Sequence, residues 1–130
     1  MKILLAEDDF VTRKFMTGFL SKYGECDVTV DGMEAVDAFM MALEDDDPYD
    51  LVCLDIMMPV MDGYQALMGI RNLEKERNVP KGQEAKVIMT TALNDEKNVK
   101  MAFDLGCTVY SGKPIDQDRF EQVLKKFGLI

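Results

Sequence analysis

Four carboxylates, a threonine and a lysine stand at or just beyond the ends of short apolar runs in this 130-residue chain. Glu7, Asp8 and Asp9 follow Ile3-Leu4-Leu5-Ala6, and Asp55 follows Leu51-Val52-Cys53-Leu54. Thr91 closes the run that starts at Lys86, and Lys113 lies in the turn after Thr108-Val109-Tyr110. Histidine is absent, which excludes a histidine-based triad, a histidine metal site and a phosphohistidine on this chain. Its chemistry must use carboxylates, hydroxyls and lysine. Carboxylates gathered in one pocket repel each other, so they bind a cation or raise a pKa. Oxygen ligands without His or Cys favour Mg2+ or Mn2+ over zinc. A carboxylate beside such a cation is also a nucleophile towards phosphorus.

The elements that must position these groups follow from periodicity. Residues 2–6 read as a strand, and Phe15, Met16, Phe19, Leu20 and Tyr23 recur at helical spacing before Gly24. Cys26–Val30 reads as a second strand. Asp31-Gly32 turns into a helix with Ala35, Val36, Phe39, Met40 and Leu43 on one face. Leu51–Leu54 is the unbroken apolar run of a strand buried on both faces, ended by Asp55 and a turn punctuated by Pro59 and Gly63. A charged residue directly after such a strand emerges at the sheet edge where α/β proteins bind ligands. Tyr64, Leu67, Ile70 and Leu73 mark a third helix, and Lys86–Thr91 a fourth strand. Asn94 or Asp95 is placed to cap a fourth helix that Gly106 ends. Thr108–Tyr110 is a fifth strand, and Phe120, Val123, Leu124 and Phe127 line a last helix. Strands alternating with helices imply one doubly wound α/β domain over 1–130, with a parallel sheet and right-handed crossovers.

Composition narrows the function. A net charge of −9 disfavours direct nucleic-acid binding, which needs clustered Lys and Arg. Glu44-Asp45-Asp46-Asp47-Pro48 lacks the alternating ligands and glycine of a calcium loop. No run approaches the roughly 18 apolar residues of a membrane span, and Glu7 interrupts any signal-peptide core. The three cysteines, Cys26, Cys53 and Cys107, lack metal-type spacing and read as buried hydrophobes of a reducing compartment. The expectation is a cytoplasmic protein without membrane insertion.

Five separated motifs, in order and at strand ends, carry a resemblance: Glu7-Asp8-Asp9, Asp55, Met58-Pro59 with Asp62-Gly63, Thr91-Ala92, and Lys113-Pro114. Together they resemble the receiver domains of two-component response regulators, of the single-domain chemotaxis-regulator kind. The resemblance implies a flavodoxin-like (βα)5 fold with strand order 2-1-3-4-5, which gathers the acids, Thr91 and Lys113 at one sheet edge. It further implies Asp55 as phospho-acceptor from a histidine kinase or phosphotransfer protein, and Mg2+ (or Mn2+) held directly by Asp9, with Asp8 as helper. Asp55 and the Met57 backbone carbonyl complete the metal set. Thr91, the Ala92 N–H and Lys113 would hold the phosphoryl oxygens, and Tyr110 would turn inward with Thr91. The Lys113–Pro114 bond is expected to be cis. The positions that vary receiver lifetimes are Met57 and Leu93, both apolar and unable to orient water, so slow self-dephosphorylation is expected.

Plainer readings stand beside these. Asp9 suits a helix cap, Asp62 a cap or turn, Tyr110 an ordinary strand aromatic and Thr91 a β-branched strand residue. A flavin-binding protein of the same fold would need hydroxyls and glycines where Glu7-Asp8-Asp9 stands. A dehalogenase-type phosphatase would need an Asp at Met57. The expected product is a phosphorylation-driven switch rather than an enzyme, working as a monomer or a phosphorylation-dependent dimer. Its helix 4–strand 5–helix 5 face would bind a downstream protein. The alternative is a receiver module cut from a longer regulator with a DNA-binding or enzymatic output domain.

Overall fold

The computed structural model describes residues 1–91 and 96–130. Among them five strands alternate with five helices: β1 Lys2–Ala6, α1 Phe10–Leu20, β2 Glu25–Thr29, α2 Gly32–Glu44, β3 Leu51–Asp55, α3 Gly63–Glu76, β4 Lys86–Thr91, α4 Glu96–Asp104, β5 Val109–Gly112 and α5 Gln117–Lys126. Every strand pairing is parallel, in the order β2-β1-β3-β4-β5. This is the flavodoxin-like doubly wound sheet. β2 begins and ends one residue earlier than its β-branched pattern implies, and β5 runs on to Gly112. The expected caps of α4, Asn94 and Asp95, lie outside the described residues.

Side-chain alternation along the strands divides the core into two layers. Leu4, Val52, Leu54, Val87 and Met89 pack with Phe39, Leu67 and Ile70 of α2 and α3. Ile3, Leu5, Cys53 and Ile88 face Met16, Phe19, Leu20, Phe120 and Leu124 of α1 and α5. β3 lies between β1 and β4 and is buried along its whole length, Asp55 included. Phe15, expected on the buried face of α1, is instead 45% exposed. Met16, Phe19 and Leu20 already fill that stripe, and Phe15 sits about 100° around the helix from Met16.

Four aspartates sit at helix starts. Asp9, Asp31, Asp62 and Asp116 each accept a backbone N–H three residues on, and Gln65 completes a capping box with Asp62. The loop after β3 is pinned at two helix starts. Gly32 N–H donates to the Met61 carbonyl (3.0 Å) and Gly63 N–H to that of Ile56 (2.9 Å). A Cβ on Gly63 would lie 2.5 Å from the Asp55 carbonyl oxygen, so α3 begins against the last peptide of β3. Between these pins Val60 adopts φ 68°, bridged by a Met61 N–H to Pro59 carbonyl bond of 2.7 Å. A β-branched residue is strained in that conformation, and Val60 is 76% exposed. Among the described residues no helix is long and apolar enough to cross a membrane.

Candidate functional site

The parallel register brings the strand ends together. Asp55 pairs with Thr90, and Thr91 with Gly112. Lys113 N–H donates to the Thr91 carbonyl at 2.8 Å, fixing where the lysine leaves the sheet. The Lys113–Pro114 peptide that follows is cis. Ala6 pairs with Leu54, so one step further puts Glu7 level with Asp55. Glu7 and Thr91 are 1% exposed and Asp55 5%, while Asp8 lies open to solvent.

Charge decides what this pocket can do. The Lys113 ammonium donates to both Glu7 carboxylate oxygens, at 3.1 and 3.0 Å, and lies 3.3 Å from Asp55 Oδ1. Burial lowers the lysine pKa, but the Glu7 hydrogen bond and the Asp55 and Glu7 charges outweigh it and leave the pKa raised. Burial, then the Glu7 charge, pushes Asp55 up to about 6 against the pull of Lys113. One ammonium is insufficient for the surrounding anions. Glu7, Asp8 and Asp55 each offer an oxygen within 4.8 Å of the others. An oxygen-only cluster, partly open to water and short of positive charge, fits a hard divalent cation such as Mg2+.

One expected ligand is not in that cluster. Asp9 is exposed, and one of its oxygens accepts from Thr12 N–H (2.9 Å) and Thr12 Oγ1 (2.6 Å). Those two bonds hold its pKa below the usual value. In this geometry Asp9 caps α1, and the acids whose oxygens gather with Asp55 are Glu7 and Asp8. Glu7, named in the sequence as part of the acidic motif but given no role of its own, is the carboxylate that the Lys113 ammonium grips. Counting strand register to the first residue past Ala6 finds it.

The remaining expected residues distribute as follows. The Tyr110 ring packs on the α2–α3 layer, and its buried hydroxyl has no hydrogen-bond partner among the described residues. The Met57 side chain is 63% exposed. Ala92 and Leu93 lie outside the described residues.

Comparison with known proteins shows the family. Residues 3–125 match the response regulator receiver domain. The chain belongs to that family. Receiver domains are signalling switches rather than typical enzymes, and this receiver is one of a two-component signalling system. It is 30% identical over 128 residues to the hybrid signal transduction histidine kinase L of Dictyostelium discoideum, covering 98% of this chain and 7% of that protein. It is also 30% identical over 124 residues to the probable transcriptional regulator ycf29 of Porphyra purpurea, covering 95% of this chain and 54% of that one. The receiver thus spans a small fraction of the first relative and about half of the second. Among solved structures it resembles the CheX–CheY–BeF3–Mg2+ complex of Borrelia burgdorferi, with TM-score 0.82 and 32% identity over 98% of this chain and 89% of that one.

Proposed function

We propose that this receiver takes a phosphoryl group from a protein phosphohistidine onto Asp55, with Mg2+ bound at the acidic cluster. The observation that carries this reading is the pairing of buried Asp55 with Lys113 beside two further carboxylates. Asp55 Oδ attacks phosphorus as the P–N bond breaks, and the departing imidazole nitrogen keeps the electron pair and takes a proton. Glu7, Asp8, Asp55 and the Met57 carbonyl would hold the Mg2+, which offsets negative charge on the phosphoryl oxygens when bound. Lys113 swings from Glu7 and Asp55 to a phosphoryl oxygen, and the Thr91 hydroxyl and Ala92 N–H bind the others. Thr91 drawn towards the phosphate, with Tyr110 following it, reshapes the α4–β5–α5 face for a target protein or a second copy. Phosphate biases a pre-existing equilibrium, as such switches do.

The surroundings suit a protein donor. Phe10, Val11, Phe15, Met57 and Val60 are exposed around the acidic turn and the β3–α3 loop. Val11, Phe15, Pro114 and Ile115 line a cavity of about 260 Å3 against Lys113. Unpaired cysteines suit a reducing cytosol. Apolar Met57 and Leu93 leave attacking water unassisted, giving a long-lived phosphoryl group. A second reading, a receiver working within a longer regulator or hybrid kinase, is favoured by the small share of its relatives that the chain spans.

Intact mass after incubation with Mg2+ and acetyl phosphate tests the acceptor. One added phosphoryl group, lost with EDTA present from the start and missing in Asp55→Asn, is expected. An unmodified wild type at saturating Mg2+ would sink the mechanism.

A further inference from the structure

We infer that α4 is hinged at its C-terminal end by Arg71 of α3, so that the switch swings this helix about Gly106 rather than sliding it. This rests on the receiver reading above. Arg71 Nε and Nη2 both donate to the Gly106 carbonyl, at 3.0 and 2.9 Å. Its Nη1 donates to the Ala85 carbonyl (2.9 Å) just before β4, and to Glu74 Oε1 (2.6 Å). Glu74, 4% exposed, closes the loop by accepting Ala85 N–H at 2.8 Å. One guanidinium therefore joins three elements: α3, the start of β4 and the end of α4. Its planar fork suits two carbonyls and a carboxylate at once, which a lysine cannot match.

The helix end is shaped for this grip. Gly106 takes φ 102°, with its N–H on the Phe103 carbonyl and the Cys107 N–H on that of Ala102. That left-handed stop turns the Gly106 carbonyl out of the helix and towards α3. A Cβ on Gly106 would stand 3.1 to 3.4 Å from Arg71 Nε, Cγ and Cδ, so the glycine also makes room for the arginine. Thr108 N–H then donates to the Val87 carbonyl at 2.8 Å, seating the chain beside β4. Ala85 precedes Lys86, the partner of Leu51, so the clamp sits at the sheet edge opposite Asp55. Motion started near Thr91 therefore enters α4 from its N-terminal side and meets a fixed point at Gly106.

Hydrogen exchange by NMR separates a hinge from a mere staple. Wild type, Arg71→Met and Gly106→Ala are compared with and without Mg2+ and BeF3−, a phosphoryl mimic. In wild type, Arg71 Nε–H and the Gly106 and Cys107 amides should hold their rates within about threefold on BeF3− binding, while earlier α4 amides change about tenfold. Both variants should exchange Gly106 and Cys107 at least about tenfold faster, let the BeF3− effect reach them, and keep Mg2+ affinity within about twofold. Unchanged exchange in Arg71→Met, or a large BeF3− effect at Gly106 in wild type, overturns the hinge alone. A wild type that fails to bind BeF3− with Mg2+ overturns the phosphoryl-acceptor reading, and the hinge with it.

Discussion

The acidic run Glu7-Asp8-Asp9 shows how neighbouring residues of one charge take separate tasks. Glu7 is buried against Lys113, Asp8 opens to solvent within reach of Asp55, and Asp9 turns away to cap α1. Replacing Asp8 by Asn should weaken Mg2+ binding by at least about tenfold, read by calorimetry. Asp9→Asn keeps a capping oxygen, so its Mg2+ affinity should match wild type. Equal losses in the two variants would make Asp9 a metal ligand alongside Asp8. The resemblance ranked Asp9 as direct ligand and Asp8 as helper, whereas residue types alone do not rank them, because a helix cap and a metal ligand want the same carboxylate. The choice depends on strand register and on Thr12, whose hydroxyl claims Asp9.

At the scale of elements, the start of α3 governs Asp55. Glycine within a helix normally costs about 1 kcal/mol relative to alanine. Gly63 reverses that sign, since a Cβ there would sit 2.5 Å from the Asp55 carbonyl oxygen and 2.8 Å from Ile56 Cα. Both obstacles are backbone and cannot rotate aside. Gly63→Ala should therefore lose about 2–4 kcal/mol in urea unfolding and slow acetyl-phosphate labelling as Asp55 is displaced. A stabilised variant would mean that α3 can back away from β3. The elements themselves were legible from periodicity, as in the apolar Leu51–Leu54 and the spacing of Phe120, Val123 and Leu124. Strand order was not, because periodicity carries no information about which strands are neighbours. It came from motifs shared with a family. The Arg71 clamp was invisible for a similar reason: apart from Glu74, its partners are backbone carbonyls, which every residue has.

For the whole molecule, the acidic pocket sets binding capacity against stability. In the folded protein burial and the Glu7 charge push Asp55 up to about 6, from the 3.8 of a free carboxyl. Between those values the folded form holds more protons, so metal-free stability falls as pH rises through the window and levels off above it. Asp55→Asn should accordingly be more stable than wild type at pH 7 without metal, with the gain shrinking towards pH 4. Mg2+ should close the gap by stabilising wild type selectively. Thermal melts across pH, with EDTA or Mg2+, check this, and a gain independent of pH would show that the acceptor is not strained by charge.

The pairing of Glu7 with Lys113 spans 106 positions of sequence. During synthesis Glu7 leaves the ribosome 106 residues ahead of the lysine that pairs with it. A nascent chain lacking that lysine carries its anions uncompensated, and closing so long a loop is slow. Competence to receive a signal therefore waits until Lys113 has been made, and a copy terminated before it is silent rather than wrongly active.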